Sequence, residues 1–316
     1  MALLLSEADV KALVPMPRLI DAMESALVAY SSGHVEQPVR SIVDVGKDRN
    51  FFGVMPAYIG ETEKALGAKL VTFFESNMAR GIPTHFATIV LLDPETGLLQ
   101  AVLDGRYLTE ARTAAVSAIS AKWLARSDAS RLAIIGSGVQ ARSHLEALGH
   151  VRKFDHIAAW SPNRANLTRF CDETGVHSAD SAEQAVSDAD VVVTATAARE
   201  PIVFNRWIRR GTHVIAVGAC RPTHRELEGA LVARARFFVD SRAGALKESG
   251  DLLLAISEGL AGPDHIAAEL GERPSRRSAS EVTIFKSLGM AVEDVAAARL
   301  AYTLAREAGK GFEFTF

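Results

Sequence analysis

The first third of the chain changes its hydrophobic period once. From Ala8 to Tyr30 the apolar residues Leu13, Leu19, Ala22, Met23, Ala26 and Leu27 recur at helical spacing, which predicts one amphipathic helix with its stripe in a core. The period then shortens to two, and strands are predicted at Val39–Val45, Phe51–Met55, Ala65–Phe74 and Ala87–Leu92. Pro94-Glu95-Thr96-Gly97 is a turn, from which Leu98–Leu103 returns as the second strand of a hairpin. A helix is predicted over Thr109–Ala125, with Thr109 as its N-cap and Ala111, Ala115, Ile119 and Trp123 along one face. This front part reads as a mixed sheet with few crossover helices.

Beyond residue 130 the pattern alternates strand and helix. Arg131–Ile135, His156–Trp160, Asp190–Ala195, His213–Gly218 and Arg236–Val239 read as buried parallel strands, with helices from Ala141 to Leu148 and after Asn163. Ser280–Lys310 reads as strongly helical and is expected to carry the chain back to the front part. The predicted fold class is α/β: a doubly wound parallel sheet of Rossmann type at 120–294, beside a discontinuous mixed α+β domain at 1–119 and 295–316.

Between the first of these strands and its helix lies Gly136-Ser137-Gly138-Val139-Gln140-Ala141. Gly136 suits a tight turn, Gly138 lets a pyrophosphate approach the main chain, and Ala141 lets helix and strand pack closely. Unpaired N–H groups at the helix start would hold the phosphate, with Val139 and Gln140 in the first turn. A dinucleotide is therefore expected here; the alternative is an ordinary strand-to-helix turn. After the next strand come Trp160-Ser161-Pro162-Asn163-Arg164, with no acid until Asp172. A cofactor 2′-phosphate would meet Ser161, Asn163 and Arg164 rather than a repelling carboxylate, which favours NADP(H) and leaves NAD(H) possible. Alternatively, Asn163 only starts a helix and Arg164 is a surface charge.

Composition narrows the partner. The 316 residues carry 35 Lys and Arg against 38 Asp and Glu, a net charge of −3, which offers no electrostatic case for nucleic acid or an acidic membrane. No apolar run approaches the roughly 20 residues of a membrane helix. Cys171 and Cys220 lie far apart, the histidines are scattered, and no metal-type spacing occurs. With no leader-like basic segment at the N-terminus, a reducing cytoplasm and a small-molecule partner are expected.

Three cations stand out in the front part. Arg40 follows Pro38-Val39. Lys69, inside an apolar strand, either points to the solvent face or reaches into a ligand site. Arg112, in the expected first turn of its helix, makes an anion trap with the N–H groups there, or else a structural salt bridge. His85 is either structural or a cofactor contact and proton relay. The basic clusters at Arg206, Arg209 and Arg210 and at Arg273–Arg277 read as solvated surface, the second also as a mobile loop.

Taken together, Gly53-Val54-Met55-Pro56-Ala57, Gly67-Ala68-Lys69-Leu70-Val71, the run Leu108–Ala118, Gly136–Ala141, Val217-Gly218-Ala219, Glu226-Leu227, Thr283–Gly289 and Glu293-Asp294 resemble the ornithine cyclodeaminase/μ-crystallin family. The resemblance spans nearly the whole chain. It implies a Rossmann domain beside a substrate-binding and dimerisation domain, and a homodimer. It also implies that Arg40, Lys69 and Arg112 hold a substrate carboxylate and adjacent polar atoms, that Lys69 takes part in catalysis, and that Thr84, Arg112, Thr113, Thr196 and Val217 contact the cofactor. Cyclodeaminases of this family carry an aspartate where this chain has Cys220, and a thiol with a free pKa near 8.5 is no fixed anion at neutral pH. Pro83–Thr88 resembles the ketimine reductases instead. The expected activity is hydride transfer from NAD(P)H to a small cyclic imino acid, Δ1-pyrroline-2-carboxylate or Δ1-piperideine-2-carboxylate. Glu75 or a water chain is a candidate to offset the crowded cations. The alternatives are an ornithine cyclodeaminase, an alanine-dehydrogenase-like oxidoreductase and a non-catalytic, crystallin-like NADP(H)-binding protein.

Overall fold

Residues 1–46, 50–60 and 63–315 are described by a computed structural model. After β1 (Ala2–Leu5), α1 (Glu7–Leu13) opens under a capping box in which Ser6 Oγ accepts the Asp9 N–H and Asp9 accepts the Ser6 N–H. The single helix expected from Ala8 to Tyr30 is two, α1 and α2 (Met16–Ser31), because Pro15 has no N–H with which to continue the first. Next come β2 (Val35–Glu36), β3 (Ser41–Val45), β4 (Asn50–Ile59), β5 (Ala65–Phe73), β6 (His85–Leu92) and β7 (Leu99–Asp104), then α3 (Arg106–Leu124).

The α3 start corrects a second expectation. Asp104 Oδ1 accepts the Arg106 N–H at 3.0 Å, so the helix begins there, and Thr109 is an interior residue whose Oγ1 donates to Gly105 O at 2.7 Å. Arg112 therefore sits in the second turn, beyond the reach of the unpaired N–H groups.

The alternating part follows: β8 (Arg131–Ile135), α4 (Val139–Val151), β9 (His156–Trp160), α5 (Arg164–Thr174), β10 (His177–Ser178), α6 (Ala182–Val186), β11 (Val191–Thr194) and β12 (His213–Ala216). It continues with α7 (Gly229–Arg234), β13 (Arg236–Val239), α8 (Arg242–Glu248), α9 (Gly250–Ser257), β14 (Ile266–Glu269) and β15 (Thr283–Lys286). The chain ends with α10 (Ala291–Ala308) and β16 (Phe312–Phe314). The span Ser280–Lys310 is thus not all helix. Thr283-Ile284-Phe285 is β-branched and aromatic, and β15 is an interior strand paired in parallel with β12 and β13.

The chain divides into two compact units, Met1–Arg112 with Gly289–Phe316, and Thr113–Leu288. In the first, the sheet order is β16-β1-β7-β6-β5-β4-β2, with β3 also on β4. Strand β5 alternates strictly: Ala65, Gly67, Lys69 and Val71 are buried, while Leu66, Ala68 and Leu70 are half-buried on the other face. Helix α10 lies on the buried face, where a Cβ on Gly67 would touch Val295 at 3.4 Å. In the second unit the order is β10-β9-β8-β11-β12-β15-β13-β14, every pair parallel. Reversal of direction beside β8 makes this a doubly wound sheet, and Val192, Val214, Phe237 and Ile284 fill its core.

Candidate functional site

The register of the first sheet sets Lys69 opposite Met55 on β4 and Ile89 on β6. Its ammonium thus rises from an apolar row, and only 2% of the residue is exposed. What meets it is the first turn of α10: Lys69 Nζ lies 2.6 Å from Asp294 Oδ2. Asp294 also accepts Arg112 Nε at 2.9 Å, and Arg112 Nη1 donates to Glu293 Oε2 at 2.6 Å. Carboxylates at the start of a helix suit its dipole, which offsets part of the cost of burying both acids. Of the two readings open for Lys69, the solvent face is excluded.

Gly289 completes this arrangement. It has φ +79°, and a Cβ there would lie 2.5 Å from Arg112 Nη1, while its carbonyl accepts Arg40 Nη2 at 3.1 Å. One glycine thereby brings two guanidinium groups together. Burial pushes the Lys69 ammonium down to about 8; Asp294 opposes that, and Arg112 and Arg40 add to it. Burial alone would raise Asp294, yet Arg112 and Lys69 outweigh it and hold the carboxylate below its ordinary value. His85 is pushed down to about 4, by burial first and then by Lys69 and Arg112, so it is a neutral imidazole at neutral pH. Glu75, the carboxylate suggested by the sequence, is exposed; the acids that offset the cations are Asp294 and Glu293.

In the second unit the glycine turn leaves the start of α4 open. Gly136 has φ +124°, and a Cβ on it would collide with Ala195 O at 2.5 Å, so β8 leaves the sheet by a turn open to glycine alone. Gly138 caps α4 without any side chain covering the first N–H groups, and a Cβ built on it would meet nothing within 4 Å. Ala141 is fully buried under the helix. A bare helix start with open space before it fits a dinucleotide pyrophosphate.

The residues after β9 answer differently. Ser161 is buried, but Asn163 Oδ1 caps α5 by accepting the Asn166 N–H, and Arg164 donates to Ala179 O at 3.1 Å and Asp180 O at 2.7 Å. Asn163 and Arg164 thus both make hydrogen bonds within the fold. Val217 donates its N–H to Thr194 O, Thr196 is tied to Glu226, Thr84 precedes β6, and Thr113 follows Arg112 within α3. Cys220 is exposed rather than packed, its Sγ donating to Val217 O at 3.4 Å. Arg276 is no loose surface charge: it donates to Leu124 O, Ser278 O and Glu281 O. Arg209 pairs with the buried Asp190. Among the described residues no helix is long and apolar enough to cross a membrane.

Residues 1–309 match the ornithine cyclodeaminase/mu-crystallin family. The chain belongs to that family. Rat (Rattus norvegicus) ketimine reductase mu-crystallin is 46% identical over 292 residues, 90% of this chain and 91% of its own. The structure of Thermococcus litoralis Δ1-pyrroline-2-carboxylate reductase in complex with NADH and L-proline has a TM-score of 0.95 at 37% identity, covering 99% of this chain and 100% of that one. An archaeal alanine dehydrogenase dimer with bound NAD has a TM-score of 0.93 at 33% identity, covering 100% and 99%.

For this member of the ornithine cyclodeaminase/mu-crystallin family, sequence reasoning found the cations and missed their roles toward Asp294 and Glu293. Two adjacent acids before an alanine-rich helix are an ordinary N-terminal signature. The available signal was their placement just after Gly289, in a chain whose three singled-out cations lie far away in sequence.

Proposed function

We propose that this chain is an NAD(P)H-dependent oxidoreductase that reduces a small cyclic ketimine carboxylate, Δ1-pyrroline-2-carboxylate or Δ1-piperideine-2-carboxylate, to the L-cyclic amino acid. The observation that carries the reading is the buried group of Lys69, Arg112, Asp294 and Glu293, with Arg40 held beside it through Gly289. Its two guanidinium groups are the chemistry that binds a single substrate carboxylate. Arg112 and Arg40 anchor that carboxylate, and Asp294 keeps the Lys69 ammonium in place.

Lys69 is the proton donor. An ammonium with a pKa of about 8 is charged at neutral pH yet releases its proton far more readily than an ordinary lysine. Its Nζ proton goes to the imine nitrogen, and the two acids of α10 temper the repulsion that an iminium would otherwise meet from Arg112 and Arg40. Gly136, Gly138, Val139, Gln140 and Ala141 would hold the pyrophosphate of the dinucleotide, with Ser161 toward its adenosine ribose. A dinucleotide held there in its reduced form would supply the hydride for the imine carbon.

NADP(H) remains the favoured form, because no acid follows β9 to repel a 2′-phosphate. The support is Ser161 and the missing carboxylate, since Asn163 and Arg164 are engaged elsewhere in the fold. The chain is proposed to work as a homodimer through the second face of its mixed sheet, where Phe52, Val54, Leu70, Phe86 and Val90 are half-buried or exposed on the side of β5 opposite α10. Free thiols at Cys171 and Cys220 support a reducing cytoplasmic compartment. An exposed Cys220 does not supply the fixed carboxylate of a cyclodeaminase, so ornithine is not the proposed substrate. Cofactor oxidation with each imine, set beside ornithine with NAD+, tests the assignment.

A further inference from the structure

Glu226 is fully buried in the doubly wound unit, and its carboxylate is surrounded by donors. Oε1 accepts the Thr196 N–H and Thr196 Oγ1, each at 2.8 Å; Oε2 accepts Thr194 Oγ1 at 2.8 Å and the Gly218 N–H at 2.7 Å. Thr196 lies just past the carboxyl end of β11 and Gly218 just past that of β12. These two exits press together at Gly218, where a Cβ would lie 2.1 Å from Thr196 O and 2.5 Å from Glu226 Oε1. The clamp is itself anchored. Asp251, in the first turn of α9, accepts the main-chain N–H groups of Glu226 and Leu227 at 2.8 and 2.9 Å, and its other oxygen lies 3.0 Å from Lys286 Nζ at the end of β15. Side chains of Glu226, Asp251 and Lys286 are all closed to solvent.

A doubly wound sheet takes its ligand at the carboxyl ends of its strands, at loops such as these. We infer that Glu226 is a positioning residue for the dinucleotide, its carboxylate fixing the Thr196 and Gly218 loops in the binding-competent geometry. The inference rests on the dinucleotide reading above and deepens it. It requires a carboxylate and not merely the shape of one. Each oxygen accepts from a main-chain N–H, so a glutamine amide in either orientation would turn its NH2 toward one of them. Glu228 provides the contrast: one of its oxygens accepts the Asn205 N–H at 2.7 Å, a bond that an amide oxygen can replace.

The test is titration of purified full-length protein with NADH and NADPH, followed by nucleotide fluorescence, on the unaltered chain and on Glu226→Gln, Glu228→Gln and Thr194→Val. Expected are dinucleotide affinity roughly tenfold weaker in Glu226→Gln, roughly threefold weaker in Thr194→Val, and unchanged in Glu228→Gln. In turnover, the KM for cofactor rises while the KM for the imino acid stays. If Glu226→Gln does not fold, Thr194→Val, which removes only one donor hydroxyl, decides the matter. Native affinity in the folded variants overturns the positioning role alone. Failure of the unaltered protein to bind either nucleotide overturns the dinucleotide reading and this inference with it.

Discussion

Lys69 Nζ and Asp294 Oδ2 meet at 2.6 Å, although 3% and 0% of their side chains are exposed and more than two hundred residues separate them in the chain. A buried ion pair is weak evidence for stability in itself, because desolvation consumes much of the attraction. Here the pair joins a strand to a helix start and leaves a lysine with a proton it can give up.

Removing the carboxylate should be expensive. Asp294→Asn leaves Lys69 and the Nε side of Arg112 without their counter-charge in a closed site, and should lower unfolding free energy by about 3 kcal/mol. Urea denaturation at pH 7 measures this, and turnover should fall at least about a hundredfold in the folded fraction.

Arg112 should not tolerate lysine. Its guanidinium reaches Asp294 through Nε and Glu293 through Nη1, a span that a single ammonium does not reproduce. Steady-state kinetics of Arg112→Ala and Arg112→Lys should both show losses of about a hundredfold or more in kcat/KM for the imine, with circular dichroism of each variant as a control on folding.

Gly289→Ala tests the crowding around Arg112 without touching a charge. The methyl group would sit 2.5 Å from Nη1 in a left-handed backbone conformation, so the guanidinium must move. The KM for imino acid should rise about tenfold or more, while cofactor affinity, measured by fluorescence, stays native.

Much of this was legible in the chain, for physical reasons that differ by element. The Gly136 turn and the parallel strands are local: a tight turn needs a glycine, and two-sided burial writes an unbroken apolar run such as Val191–Val193. Glu293-Asp294 was visible as a family motif, but its pairing was not legible, since Asp294 meets Arg112 across 182 positions and nothing near it points to Lys69. Thr109 looked like a cap because its hydroxyl is of the right type, but β7 ends on Asp104, which takes the N–H groups first. The hydrogen bonds of Arg164 to two backbone carbonyls beside β10 were likewise not legible, because they join segments 15 and 16 positions apart.

Acid should weaken the fold through two buried histidines. Burial lowers His144 to about 4 and His213 to about 3, against an ordinary value of 6.5. Below pH 6.5 the unfolded chain binds protons that the folded chain refuses, so their contribution is complete above that pH and declines as it falls toward 4. Each histidine removes up to about 1.4 kcal/mol per pH unit in that window. Denaturant midpoints at pH 7 and pH 5 should differ accordingly, with the lower value at pH 5.

The proton-donor role sets the opposite limb of the activity profile. With the folded Lys69 at about 8, the ammonium form is lost as pH rises through that value, and kcat/KM for the imine should fall there. A profile flat from pH 7 to 10 would remove Lys69 from proton transfer.

Imine reduction is tested by following NADPH and NADH oxidation at 340 nm with Δ1-pyrroline-2-carboxylate and Δ1-piperideine-2-carboxylate, and identifying the product. Stoichiometric oxidation of the cofactor with formation of L-proline or L-pipecolate is expected. Imine reduction is contradicted if both imines are inert while ornithine with NAD+ yields proline and ammonia.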